Sequence, residues 1–222
     1  MRKGFTLAEV LITLGIIGVV AALVMPSLIA DYRKKEYVTR LQKAVSVWGN
    51  GMKLMMATDG ADFFDDTDFA RSLSSNSGYY NALESCSYID GTCMMDKADS
   101  ILKKYFKIIK IENKFGVTGW KPLGEGPSMG VMDLKLLYMP DGTIYYVSLT
   151  NVDNSSFATK GDVFIDVNGK KPPNQWGRDV FGFVLNNRGQ LEPFSYSCVG
   201  EEFSNGMGCA KYLMENGWVM DY

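Results

Sequence analysis

Histidine is absent from this 222-residue chain. Its absence removes the commonest general base, the commonest zinc ligand and every histidine-based triad. Excess charge of either sign is absent as well: 23 basic and 25 acidic residues leave a net charge of −2. A nucleic-acid partner wants a basic face, and nothing here indicates one. No spacing of acidic residues marks a catalytic pair, so the chain is read as a non-enzyme without a cofactor. Cysteine is sparse, with Cys86 near Cys93 and Cys198 near Cys209. Both spacings are wider than the two to four residues of a zinc motif. Four cysteines allow three connectivities, and the sequence does not choose among them. Local pairing is expected, because short loops bring their ends together most often.

What the chain has in abundance is apolar sequence at its start. After Met1-Arg2-Lys3-Gly4, residues 5–30 contain one ionisable side chain, Glu9. As a helix that stretch spans about 39 Å, against about 30 Å for a bilayer core. It is long enough to cross, with Arg2 and Lys3 holding its start on the cytoplasmic side. A discarded secretory signal would want small residues before its cleavage site. The candidate site before Asp31, Leu28-Ile29-Ala30, presents a large Leu28 instead. A plain anchor accounts for the hydrophobicity and leaves Glu9 unexplained.

The run Lys3-Gly4-Phe5-Thr6-Leu7-Ala8-Glu9-Val10-Leu11 resembles the processing site of type IV prepilins and type II secretion pseudopilins. The resemblance is strong over about the first 50 residues and architectural beyond them. It implies cleavage between Gly4 and Phe5 by a prepilin peptidase, with N-methylation of Phe5. It also implies a role in assembly for Glu9, the fifth residue of the mature chain. An acid within hydrocarbon is a functional hypothesis by default. The cation created by cleavage is the amine of Phe5, and a neighbouring subunit's amine offers the better geometry. The bland reading has Glu9 snorkelling to the headgroups. Gly15, Gly18 and Pro26 sit where many pilins carry helix-loosening residues. Ordinary tolerance of Gly and Pro in membrane helices accounts for them equally well.

Further along, Tyr37, Leu41, Ala44, Trp48, Met52 and Met55 recur at helical spacing and form an amphipathic stripe. Residues 58–85 read as a polar connection, with Asp59, Asp62, Asp65, Asp66 and Asp68 as a solvated acidic loop. A short helix is expected over 99–110 with Asp99 as its N-cap, and another over 211–216. Strands are expected over 134–139 and 143–148, around the Pro140-Asp141-Gly142 turn. Two more are expected over 163–167 and 180–185.

These elements make an α+β fold: a long N-terminal helix, its first half transmembrane, packed on an antiparallel sheet of about four strands. The expected division is a leader at 1–4, a transmembrane and polymerisation segment at 5–30, an amphipathic helix at 31–57 and an extracytoplasmic head at 58–222. An even cysteine count in such an exported chain reads as disulfides. The Cys198–Cys209 segment resembles the C-terminal disulfide-bounded loop of many type IV pilins. Asp166, Asn168 and Asp179 lie around a glycine turn that resembles, loosely, a calcium loop of major pseudopilins. A turn held by side-chain-to-backbone bonds is the competing reading.

The resemblance implies a structural subunit of a pilus or a secretion pseudopilus. Its partners would be other pilin-like subunits, prepilin peptidase, an inner-membrane assembly platform and the lipid bilayer. The subunit would start as a single-pass inner-membrane protein and finish in a filament at the periplasm or cell surface. The alternative is a membrane-tethered extracytoplasmic ligand-binding protein that does not polymerise.

Overall fold

The computed structural model describes Gly4 and residues 6–73, 94–117, 120–123, 132–149, 159–199 and 206–222. Phe5, Cys86 and Cys93 lie outside these residues. The chain divides into two compact units, Met1–Glu36 and Tyr37–Tyr222.

Helix α1 runs over Leu7–Asp59. Within the first unit its large apolar side chains, from Leu7 to Ile29, are exposed on every side. A helix apolar all round is built for a lipid or all-protein surrounding. Its few hydroxyls are already satisfied: Thr13 donates to the Val10 carbonyl and Ser27 to that of Val24. Such bonds remove the cost of a polar group in a dry setting. Pro26 is accommodated inside the helix.

In the second unit five residues of the stripe foreseen on α1, Leu41, Ala44, Trp48, Met52 and Met55, are buried in one core with the sheet. Its first residue, Tyr37, is only partly buried, and Val38 beside it enters the core instead. The Tyr145 hydroxyl donates to the Ala44 carbonyl at 2.9 Å. Gly51 lets the Phe106 ring lie against the helix, where an added Cβ would collide with it.

The sheet is an antiparallel meander in the order β1-β2-β3-β4-β5-β6. Its strands are Lys110–Val117, Met132–Tyr138, Ile144–Leu149, Thr159–Asp166, Val180–Asn186 and Leu191–Pro193. The register sets Leu137, Tyr145, Ile165 and Phe181 in one row. That row joins the core under α1. Because side chains alternate along a strand, Leu136, Tyr146 and Phe164 face the other way. There they form a second core with Trp176 and Phe194.

The sheet has six strands rather than about four. The additional ones are the edges, a charge-rich β1 and a three-residue β6. Helix α3 spans Met94–Tyr105, not 99–110. Asp99 is interior to it and forms an ion pair with the buried Lys135 of β2. Burial of Ala98, Leu102 and Phe106 decides which face turns inward. The acidic connection is also partly structured. It forms a 3-10 turn, Phe64–Asp66, followed by α2, Asp68–Leu73. Helix α4, Cys209–Glu215, adds Ala210 and Leu213 to the first core.

Candidate functional site

The N-terminal site begins with Thr6. Its backbone N–H and its hydroxyl both donate to Glu9 Oε2, each at 2.8 Å. The Glu9 N–H returns a bond to the Thr6 hydroxyl oxygen at 3.3 Å. This reciprocal pair is a capping box, which satisfies orphan donors at the start of a helix. Its sequence signal is Thr6-Leu7-Ala8-Glu9, a local spacing that apolar periodicity does not reveal. In the single chain the Glu9 carboxylate is held by Thr6 and is not covered by any other described part of the chain. Gly4 is exposed just ahead of the box. Gly15 and Gly18 lie on the same helix, with open space where a Cβ would stand.

Residues 1–25 match the family described as the prokaryotic N-terminal methylation motif. The chain carries the type IV pilin/pseudopilin signature. No curated protein and no solved structure matches it. The match ends at Met25, so the rest of the chain is understood from its own geometry. The motif implies processing by prepilin peptidase and polymerisation with pilin-like subunits in general, and its family is structural rather than enzymatic. The one membrane-length apolar helix among the described residues, α1, is consistent with membrane anchoring.

Two further features lie in the second unit. Cys198 and Cys209 form a disulfide, the local pairing. It ties the start of α4 to the chain leaving β6. Asp166, Asn168 and Asp179 come together where β4 ends. Both aspartates are fully buried. Asp179 accepts the N–H groups of Asn174 and Gln175 at 2.8 and 2.7 Å. Asp166 Oδ1 accepts the Asn168 N–H at 3.2 Å. Asp166 Oδ2 and Asn168 Oδ1 are buried without a hydrogen-bond partner. Burial, reinforced by the adjacent Asp179 charge, pushes the Asp166 carboxyl up to about 8. Burial raises Asp179 too, against the pull of its backbone donors. Among the described residues no group of three or more His, Cys, Asp or Glu side chains is placed to hold a metal. A cation here would rest on two carboxylates and an amide oxygen.

Proposed function

We propose that this chain is a structural subunit of a type IV pilus or a type II secretion pseudopilus. Prepilin peptidase cuts it between Gly4 and Phe5 and methylates the Phe5 amine. Before assembly it is a single-pass inner-membrane protein with its head outside the cytoplasm. An inner-membrane platform then feeds it into the filament. The observation that carries this reading is a helix exposed as apolar on all sides, opening on a single acid within the methylation motif. Glu9 pairs with the Phe5 amine of a neighbouring copy, and the Thr6 cap holds the carboxylate until that partner arrives. Leaving one member of a buried ion pair alone costs about 3–5 kcal/mol, so register errors are penalised. The test is Glu9→Val. Membrane insertion and cleavage should persist while filament yield falls sharply, and mixing with wild-type subunits should partly rescue it. Wild-type yield from Glu9→Val alone would refute the role given to the carboxylate.

The orphaned oxygens of Asp166 and Asn168 support a second, local reading: a calcium ion in the turn at the end of β4. Calcium takes carboxylate and carbonyl oxygens readily. Its binding would raise the unfolding temperature of the wild-type chain relative to chelator, and Asp166→Asn would abolish the difference. An identical melting curve with calcium and with chelator removes this reading.

A further inference from the structure

Phe63 is an exposed aromatic on a fixed support. It is 48% exposed, whereas its neighbour Phe64 is completely buried. The Phe64 N–H donates to the Asn187 carbonyl at 2.7 Å. Asp65, next along, meets the fully buried Lys160 of β4, with Nζ 2.6 Å from Oδ2. Burying a lysine is costly unless its partner is firmly placed. Together these contacts hold the Phe63 backbone rigidly, so little ordering is left to oppose a contact made by its ring. Asp62, exposed beside it, gives the knob an acidic edge, whereas Asp66 is met by Arg71 at 4.0 Å.

Elsewhere on the same unit an apolar groove of about 500 Å³ runs beside α1. Val47, Leu54, Phe106, Met139 and Pro140 contribute its walls. Leu54 stands 56% exposed there, an unusual position for a large aliphatic side chain with an apolar cleft beside it. Lys43 and Lys107 stand at the groove. Lys43 is matched by Asp141 at 2.6 Å. Among the described residues Lys107 has no such ion pair, whereas nearby Lys104 already feels Asp59 and Asp68 of its own chain. The groove thus presents apolar walls and, among the described residues, a lysine without an ion pair. The knob presents a ring and negative charge.

We infer that Phe63 of one copy seats in the groove beside Lys107 of a second copy. This rests on the subunit reading above and adds a contact between heads. The occupant is a second copy because the complementary knob is carried on the chain itself. Knob and groove are different patches, so each copy offers both. Such a heterologous contact repeats along a filament, whereas a two-fold contact closes on itself. A buried aromatic anchor with a charged rim is the usual composition of an energetic centre in an interface.

The test uses the full-length chain in its membrane and filaments. With p-benzoylphenylalanine at position 63, irradiation should join two copies. Peptide mapping should place the new bond within residues 43–54, 105–107 or 139–145. Lys107→Glu and Asp62→Lys should each lower filament yield at least tenfold. The double variant should return it to within twofold of wild type. Unchanged melting curves for the single variants would show that the heads remain folded. Crosslinks that map elsewhere, or no recovery in the double variant, overturn the docking while wild-type filaments leave the subunit reading standing. A wild-type chain that never assembles overturns both.

Discussion

At the scale of single residues, Asp166 has the largest consequence. Its carboxyl is raised to about 8 by burial and by Asp179, against about 3.9 in an unfolded chain. The folded state therefore binds the extra proton, and its contribution to stability is complete below about pH 4. That contribution is lost as pH rises through about 8. Asp179, also raised, acts in the same direction. Glu112, held down to about 2 by Lys110 and Tyr138, affects only the acid limb. The chain has no histidine, the side chain that ordinarily titrates between about pH 5 and 8. Tryptophan fluorescence isolates the head, because Trp48, Trp120, Trp176 and Trp218 all lie beyond residue 36. In chelator, urea unfolding followed this way should give a lower midpoint at pH 8.5 than at pH 5.5. Asp166→Asn should flatten the difference, since its side chain is neutral at both pH values. A slope that survives the substitution would assign the effect to other groups.

At the scale of elements, the Cys198–Cys209 bond decides whether α4 stays on the sheet. Both sulfurs are buried. An added Cβ at Gly177 would press on Cys209 Sγ, so the glycine and the bond are packed as a unit. A loop closed over 11 residues stabilises by about 3 kcal/mol in the chain-entropy account. Replacing both cysteines with serine should lower the unfolding free energy by about that amount. Hydrogen exchange should accelerate first in α4, whose Ala210 and Leu213 would be held by packing alone. Uniform acceleration across the sheet would mean instead that the bond supports the whole head. At the other end of the chain, the Thr6–Glu9 cap and the bonds from Thr13 and Ser27 give α1 local closure in its apolar stretch. Such internal closure of polar groups is what a helix able to cross a membrane requires.

At the scale of the whole molecule, the two units follow different rules. Met1–Glu36 has nearly all its apolar surface outside. Tyr37–Tyr222 buries two apolar layers, one on each face of the sheet. The first unit is complete only when lipid or other helices cover it. Processing is the measurable first step in that passage. Intact mass of the mature protein should correspond to a chain beginning at Phe5 and carrying one added methyl group. Gly4→Leu should leave the leader attached and the precursor in the membrane. A mature chain that still begins at Met1, or begins at Asp31, would contradict the proposed maturation.

The first 25 residues were legible because their information is local. A charge-free run, one acid and a cleavage motif need no folded context, and neither does the helical stripe from Tyr37 to Met55. The four interior strands were legible for the same reason: alternation and turn residues are properties of neighbours in sequence. The edges were not. Strand β1 mixes Lys110, Glu112 and Lys114 into its pattern, and β6 is too short to show a period. The capping box is local too, written in Thr6 and Glu9 rather than in any apolar period. What only the tertiary structure decided is which polar groups lose their water. Asp65 looked like one more solvated acid until β4 brought Lys160 against it. Asp166 and Asp179 became an interacting pair only when the turn after β4 folded back. Burial depends on residues distant along the chain, and desolvation raises the cost of every charge it reaches. Local pattern therefore determined the elements and the processing motif, while long-range packing determined the charges on which the head's stability depends.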